Sequence, residues 1–390
     1  MNPFVSPQTL ITGEGVLTEV VEQIRKFGAS KAMIYADPGV VKAGLVTRLE
    51  HTLQLGEIDY ELFTDVVPEP PLNIANHAVQ VLRKSNADII IGIGGGSTLD
   101  IAKACAVLSS HEGKVEDYLN LTGTKKLVHK GLPKILIPTT AGTGSEVTDI
   151  AVFSLDTTKD VITDPYLLAD TAIVDYELTY SLPPRITAST GVDALTHAIE
   201  AYTSIRASEL TDTLALDAIK RIGKNIRTAV WNGSDNEARK QMALGSLQAG
   251  LSFYNAGVAG VHALAYPLGG LFKIPHGESN AVLLPYVFEY IWPSCLGKMG
   301  NVAEALGLKV DHLSDREAAI KAVEELYNIV KDVGIPTTIK EFGIKESDIE
   351  QLTRDAVKQT RLLARSPKAY TEKDIRAVYG KAFEGKLKLN

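Results

Sequence analysis

Four potential metal ligands lie between residues 187 and 286, and their types define one chemistry. Asp193 and His197 stand four residues apart, so on a helix their side chains share one face. His262 and His276 are separated by a segment with two prolines and two glycines, which predicts that they come from different elements. One carboxylate and three imidazoles suit zinc, ferrous iron or another first-row divalent ion, and do not suit a calcium or magnesium cage. The alternatives are an ordinary surface or capping pair at positions 193 and 197 and hydrogen-bonded core histidines at 262 and 276.

Length and composition exclude several classes of protein. The chain has 390 residues and is 45% hydrophobic, which predicts two domains with a large core. Its formal net charge of -7 is that of an ordinary soluble protein. Lysine and arginine are scattered without a basic block, so we expect no nucleic-acid partner. Cys105 and Cys295 offer no disulfide framework, and neither a signal peptide nor a membrane-length apolar run is visible. We expect a cytoplasmic protein with no membrane partner.

The pattern of elements changes near residue 178. Before it, β-rich runs alternate with amphipathic helical segments, which is typical of a parallel α/β layer. Strands are predicted at 31–36, 58–63, 88–93 and 134–137, and helices at 72–85 and 98–108. After it, strand signals nearly vanish, and helices are predicted at 208–225, 236–252, 316–333 and 346–363. The prediction is an α/β plus all-α protein, with a dinucleotide-binding domain at 1–178 and a helical metal and substrate domain at 179–390.

A glycine-rich motif, GIGGGSTLDIAK at residues 92–103, begins within a predicted strand. Gly94, Gly95 and Gly96 have no Cβ to hold a phosphate away, and the following helix would direct free N–H groups at the same place. Ser97 is predicted to cap that helix, with Asp100 completing a capping box. The motif is not the G-x-G-x-x-G fingerprint, and the alternative is a strand-to-helix turn without a ligand.

A second polar loop and one acidic residue extend this interpretation. The loop PTTAGTGSEVT at 138–148 follows another predicted strand and offers Thr139, Thr140 and Thr143 to phosphate or ribose, unless it is an ordinary polar turn. Asp37 ends the strand at 31–36, where a carboxylate would bind both ribose hydroxyls and repel a 2′-phosphate. The alternative for Asp37 is a turn residue before Pro38. The two loops together predict one dinucleotide site, and the ribose-binding role of Asp37 predicts NAD rather than NADP.

Five long motifs, in order along essentially the whole chain, resemble the iron-containing (group III) alcohol dehydrogenase family. They read GGGSTLDIAK, PTTAGTGSEVT, AIVDYELTYSLPP, GVDALTHAIEAYTS and HALAYPLGGLFKIPHGESNAVLLPY. The resemblance implies an N-terminal Rossmann-like dinucleotide-binding domain, a C-terminal helical metal-binding domain and a cleft between them. It implies NAD and a divalent metal, with Fe2+ first and Zn2+, Mn2+ or Ni2+ also compatible, and a homodimer or higher homo-oligomer.

The same resemblance assigns roles to residues. It makes Asp193, His197, His262 and His276 the metal ligands, and it adds Lys159, Leu178, Thr179 and Leu182 to the cofactor contacts named above. Asp149, Phe253 and Tyr254 would flank the substrate, a small primary alcohol, diol or aldehyde. The metal would act as a Lewis acid on the substrate oxygen, while hydride passes to or from the nicotinamide.

One position departs from the family pattern. Many members carry a histidine, often invoked in proton relay, four residues after the third ligand, where this chain has Tyr266. A phenol has an ordinary pKa of about 10, which makes it a poor base at neutral pH. Tyr266 is therefore a catalytic candidate whose expected contribution to proton transfer is small.

Three other functions compete with an alcohol dehydrogenase. A lyase of the dehydroquinate-synthase type shares the architecture but needs a phosphate-binding cluster of Lys, Arg and His, which is not seen near the metal motifs. A hydroxyacid-oxoacid transhydrogenase or a maleylacetate-reductase-like enzyme is a closer alternative within the superfamily. A non-catalytic nucleotide-binding protein is the last. Release of free NADH with a simple primary alcohol separates the main prediction from the first two.

Overall fold

The computed structural model describes residues 3–155 and 158–389. It divides into two units, one spanning Val5–Ser181 and the other containing residues 3–4 and 182–389. Each unit has its own architecture. The first is a parallel sheet covered by helices, and the second is helical throughout the part that the structure describes. The fold is thus the Rossmann-like and helical combination predicted from the sequence.

The first unit is built on a six-stranded parallel sheet with the order β1-β8-β5-β4-β2-β3. An antiparallel pair, β6 and β7, lies beside it as a separate small sheet. The strands are β1 (Thr9–Gly13), β2 (Lys31–Tyr35), β3 (Asp59–Phe63), β4 (Ile89–Gly94), β5 (Lys134–Pro138), β6 (Ile150–Ser154), β7 (Lys159–Thr163) and β8 (Thr171–Asp175).

Helices cover both faces of the sheet, which explains why its central strands have no polar face. These helices are α1 (Val20–Lys26), α2 (Pro38–Lys42), α3 (Leu45–Leu55), α4 (Leu72–Ser85) and α5 (Gly96–Leu108). Every residue of β4, β5 and β8 is buried. One core cluster contains buried residues of α4 and α5, and the other contains buried residues of α1 and α3. Burial on both faces is the reason that parallel strands read as continuous apolar runs.

The second unit is organised around α6, which is buried from Gly191 to Thr203. α7 and α8 pack against α6 and against each other. The helices are α6 (Pro184–Thr203), α7 (Glu209–Trp231), α8 (Asn236–Ala256), α9 (Gly260–Phe272), α10 (His276–Ile291), α11 (Leu296–Ala305), α12 (Asp315–Asp332), α13 (Ile349–Val357), α14 (Thr360–Leu363) and α15 (Glu372–Glu384). Among the described residues, none of the helices combines the length and apolar character that crossing a membrane requires.

Two local predictions about this unit are wrong. Helix α9 continues through Pro267, Gly269 and Gly270, although these residues were expected to end it. The break between the two histidines comes later, at Lys273, which has a φ of 56°. The single helix predicted at 346–363 is instead divided into α13 and α14. In α9 the apolar residues around Pro267 are buried, so packing outweighs the low helix propensity of proline and glycine.

Candidate active site

Two neighbouring strands of the parallel sheet send their connections in opposite directions. β2 leads to β3 on one side, whereas β4 leads to β5 on the other. Ligands of open α/β sheets bind at such a point, in the crevice beyond the carboxyl ends of the strands. Asp37 follows β2 here, and residues 94–96 lie where β4 passes into α5. The topology therefore places two of the sequence-predicted cofactor segments at one end of adjacent strands.

The glycines after β4 lie against threonine side chains. A Cβ added at Gly94 would lie 2.5 Å from Thr98 Oγ1, and one added at Gly96 would lie 2.8 Å from Thr143 Cγ2. Gly95 is the N-cap of α5 and has no side chain to accept from its first backbone N–H groups. The N–H of Thr98 donates to the Gly95 carbonyl at 3.0 Å, whereas the N–H groups of Gly96 and Ser97 have no acceptor among the described residues and suit an outside one, such as a phosphate oxygen.

The predicted capping box of α5 is wrong. The helix begins at Gly96, so Ser97 lies inside the first turn and cannot cap it. The Ser97 hydroxyl instead accepts a hydrogen bond from the backbone N–H of Glu69 at 3.0 Å. Asp100 accepts from the Ser145 hydroxyl at 2.6 Å, and so faces the second loop rather than the helix start.

The second loop is held against the first by buried polar contacts. The backbone N–H of Thr139 donates to the carbonyl oxygen of Gly94 at 3.0 Å. Lys103 is fully buried; its Nζ donates to Ser145 Oγ at 2.7 Å and lies 2.9 Å from Asp100 Oδ1. The loop thereby stays beside the glycines, together with the three predicted hydroxyl donors Thr139, Thr140 and Thr143.

The two oxygens of the Asp37 carboxylate have different partners. Oδ1 accepts from the N–H groups of Gly39 at 2.8 Å and Val40 at 3.1 Å, which caps α2. Oδ2 lies 3.4 Å from the Thr98 hydroxyl at the start of α5. The turn role weighed as an alternative is therefore present, and the second oxygen remains on the side of the glycine loop.

The further positions assigned to the cofactor lie in different surroundings. Lys159 Nζ pairs with Glu69 Oε1 at 2.8 Å, and this glutamate also contacts Ser97 through its backbone. Leu178 and Thr179 are buried in the short 3-10 turn that follows β8. Leu182 belongs to the second unit.

The four predicted metal ligands come together in the helical unit. Asp193 and His197 lie on α6, His262 lies in the first turn of α9, and His276 is the first residue of α10. One ligand atom from each lies within 4.8 Å of all the others. Asp193 Oδ1 is 4.0 Å from His197 Nε2 and 3.7 Å from His276 Nε2. His276 is half-buried, and the other three residues are buried.

The contacts of Asn280 test whether this cluster fits a metal ion. Its Nδ2 donates to Asp193 Oδ1 at 2.7 Å and lies 3.2 Å from Nε2 of both His262 and His276. An amide NH2 has two hydrogens and cannot satisfy three acceptors. Its Oδ1 is buried without a hydrogen-bond partner among the described residues. Lone pairs that converge in this way fit a divalent cation, which takes carboxylate and imidazole ligands together.

The electrostatic surroundings of Asp193 favour its ionised form. Burial by itself would raise the pKa of the carboxyl group. The positive charges that the three imidazoles carry when protonated, together with the hydrogen bond from Asn280, outweigh burial and hold this pKa below its ordinary value. The side chain is therefore a carboxylate at neutral pH, as a metal ligand must be.

Aromatic side chains border the cluster. The Phe253 ring stacks on His197 with centroids 4.3 Å apart, and the Tyr266 ring centroid lies 6.3 Å from that of His276. Tyr254 is half-buried beside Phe253 at the end of α8. Of the other substrate candidates, Asp149 lies in the first unit next to β6.

Two residues in contact with the ligands were not predicted from the sequence. Asn280 stands four residues after His276, and Glu200 stands three residues after His197. Both spacings bring side chains onto one face of a helix, so the helical period was a usable signal. The ligand types alone do not point to Asn280 and Glu200, because neither residue is needed to complete a four-ligand set.

Both halves of the chain match known proteins. Residues 7–176 match the family described as iron-containing alcohol dehydrogenase, and residues 187–383 match the C-terminal part of the Fe-containing alcohol dehydrogenase family. Long-chain-alcohol dehydrogenase 1 of Geobacillus thermodenitrificans (strain NG80-2) is 57% identical over 384 residues, covering 98% of this chain and 97% of that protein. Choline dehydrogenase of Bacillus subtilis (strain 168) is 36% identical, covering 97% and 94%. A crystal structure of 1,3-propanediol oxidoreductase has a TM-score of 0.94 at 36% identity and covers 98% of this chain and 100% of its own.

Proposed function

Because the chain belongs to the iron-containing alcohol dehydrogenase family, and so is an NAD-dependent oxidoreductase of alcohols and aldehydes, we propose that its carboxylate and histidine cluster binds the catalytic metal. The ligands are Asp193, His197, His262 and His276. The observation that carries this proposal is the convergence of one ligand atom from each residue within 4.8 Å, together with an Asn280 amide that faces three acceptors of this cluster and cannot satisfy them all. Fe2+ is the proposed ion, and Zn2+, Mn2+ and Ni2+ suit the same donors.

We propose that residues 1–178 bind NAD and that residues 179–390 carry the metal and the substrate. The free N–H groups at the start of α5 and the hydroxyls of the second loop support a pyrophosphate site. Oδ2 of Asp37 is the proposed acceptor for the ribose hydroxyls. The remaining proposed cofactor contacts are Gly94, Gly95, Gly96, Ser97, Thr139, Thr140, Thr143, Lys159, Leu178, Thr179 and Leu182.

The roles of the bound groups follow from their chemistry. A divalent ion would supply Lewis acidity toward the substrate oxygen, and NAD would accept the hydride. Asp193 is the one anionic side chain among the four ligands, so the ligand set itself neutralises only one of the two charges of the ion. Phe253 holds the His197 ring by stacking and presents an apolar surface next to it. The protein residues therefore orient the ligands and keep the surroundings poor in water.

We propose a primary alcohol, a diol or the corresponding aldehyde as the substrate. The half-buried aromatic side chains Phe253, Tyr254 and Tyr266 suit an aliphatic chain with few polar groups. The relatives are named for long-chain alcohols, choline and 1,3-propanediol, and the last two compounds carry a primary hydroxyl group. We also propose that the enzyme forms a homodimer or a higher homo-oligomer.

The experiment removes the resident metal with a chelator and reloads separate samples with Fe2+, Zn2+, Mn2+ and Ni2+. Each sample is tested with primary alcohols of increasing length, diols and aldehydes, and free NADH is followed by its absorbance. We expect metal-dependent release of NADH from NAD and a primary alcohol. Hydride exchange between a hydroxy acid and an oxo acid without free NADH would instead establish the transhydrogenase alternative.

A further inference from the structure

Glu200 lies one turn beyond His197 on α6 and makes two short contacts with the start of α9. Its Oε2 is 2.6 Å from Nδ1 of His262, and its Oε1 accepts from the backbone N–H of Val261 at 2.6 Å. Glu200 is 1% exposed and His262 is 3% exposed. A carboxylate in this position fixes both the ring of His262 and the first turn of the helix that carries it.

The contact with Glu200 determines which nitrogen of His262 is available. An ionised carboxylate only accepts hydrogen bonds, so Nδ1 must carry the hydrogen that it receives. In neutral imidazole the other nitrogen, Nε2, then keeps its lone pair. It is Nε2 of His262 that lies 3.2 Å from Nδ2 of Asn280, the atom that also contacts Asp193. The tautomer that suits Glu200 is therefore the one that suits a cation at the ligand cluster.

The charges of Glu200 and Asp193 also indicate a cation at the ligand cluster. Among the described residues, Glu200 has no ion pair with lysine or arginine, and neither has Asp193; their charged contacts are all with histidines. A buried carboxylate without a cationic partner is strongly unfavourable. Two carboxylates and three neutral imidazoles carry the charge that one divalent cation balances.

We infer that Glu200 is a positioning residue of the metal centre, an inference that rests on the proposed function. It holds His262 in the metal-binding tautomer and supplies the second negative charge that balances the ion. It touches neither metal nor substrate itself. Carboxylates that orient ligating histidines in this way typically change metal affinity by about 10- to 100-fold when they are lost.

Glu200→Gln tests this role with little change in shape. The glutamine amide has one oxygen that accepts hydrogen bonds and one NH2 group that donates them, so it cannot accept from both Val261 and His262. Glu289→Gln is the matched control, because Glu289 is also a buried carboxylate whose Oε1 accepts two hydrogen bonds, from Lys381 and from the backbone of Lys388. It lies on α10, and among the described residues its hydrogen bonds go to Lys381 and Lys388 and not to the four ligands or Glu200.

The measurements are the Kd of Co2+ by chelator competition and the visible absorption spectrum of the cobalt protein. We expect Glu200→Gln to raise the Kd about 10- to 100-fold and to alter the spectrum, and Glu289→Gln to change neither. In a His262→Ala background, Glu200→Gln should have a smaller effect than in the wild type, because only the charge of Glu200, and no longer its hold on that imidazole, is then lost. Thermal unfolding without metal shows that each variant is folded, and Glu200→Asp replaces the glutamine variant if it is not.

An unchanged Kd and spectrum in folded Glu200→Gln would overturn the inference. An equal loss of affinity in Glu289→Gln would also overturn it, since the effect would then be general. In both cases the proposed metal site itself would stand. A wild-type protein that binds no Co2+, Fe2+ or Zn2+ would contradict the proposed function, and the role of Glu200 with it.

Discussion

The Asn280 amide nitrogen lies 2.7 Å from Oδ1 of Asp193, and this contact joins α10 to α6. It brings the N-terminal part of α10 beside the buried middle of α6. His276 and Asp193 lie on these same two helices, so the contact fixes the spacing of two proposed ligands. The proposed metal centre is thus built from residues on packed helices.

Asp37 should set the preference between the two nicotinamide cofactors. Asp37→Asn keeps an oxygen to cap α2 but removes the charge that repels a 2′-phosphate, so the preference for NAD over NADP should narrow with little loss of stability. Asp37→Ala should narrow the preference for NAD similarly. It should also lower the free energy of unfolding by about 1 kcal/mol, because the cap of α2 is lost. The kcat/KM values for both cofactors and the melting temperatures check this. A wild type that prefers NADP would show that Asp37 does not contact the ribose.

Gly94 should be intolerant of a side chain. In Gly94→Ala the new Cβ meets Thr98, which must move from the start of α5. Overpacking of this kind lowers the free energy of unfolding by about 1–3 kcal/mol. The displaced start of α5 should also weaken NAD binding, because its N–H groups no longer point at the proposed phosphate site. Gly380→Ala in α15 is the control, because its Cβ has nothing within 4 Å. An unchanged Kd for NAD in Gly94→Ala would place the cofactor elsewhere.

Tyr266 should be replaceable by phenylalanine. A phenol of ordinary pKa is ill matched to proton transfer at neutral pH, so Tyr266→Phe should lower kcat about tenfold or less. Tyr266→His should stay active and add an ionisation at about pH 6 to 7. The pH dependence of kcat for the three proteins is the measurement. A loss of about a thousandfold in Tyr266→Phe at every pH would make the tyrosine the proton-transfer group.

Glu146, in the second loop, should make stability depend on pH. Burial raises the pKa of its carboxyl group to about 7, although its own backbone N–H and the charge of Lys103 oppose the shift. The folded protein then binds this proton more tightly than the unfolded chain, whose pKa is about 4.3. Its contribution to stability is therefore lost as pH rises from about 4.3 through 7.

Glu146→Gln removes this titration. The free energy of unfolding of the variant relative to wild type should increase with pH across that window and level off above it. Exposed Glu22, whose pKa is lowered by Lys26, is the control, and Glu22→Gln should not reproduce the increase. Urea unfolding at several pH values measures both differences. A constant difference for Glu146→Gln would show that the carboxyl group is not buried in solution.

The elements and ligand types that depend on short-range sequence patterns could be predicted from the sequence. Helix α4 was predicted at 72–85, and these are its bounds, because its apolar residues recur at the helical period. β1, β6, β7 and β8 were missed: β8 (TAIVD) has only three apolar residues in a row, and periodicity cannot distinguish so short a run from a buried helical segment. The ligand types at 193, 197, 262 and 276 were visible, whereas the contacts of Glu200 and Asn280 depend on how helices pack.

The central claim is tested most directly by His262→Ala, with metal content and NADH release measured on the same samples. The wild type should hold one divalent ion per chain and release NADH from a primary alcohol. The variant should lose the ion and its turnover while remaining folded without metal, since a catalytic metal is not the main support of the fold. Its melting temperature should fall, because buried Glu200 loses its imidazole partner. A variant that holds no metal but turns over at the wild-type rate would contradict the account.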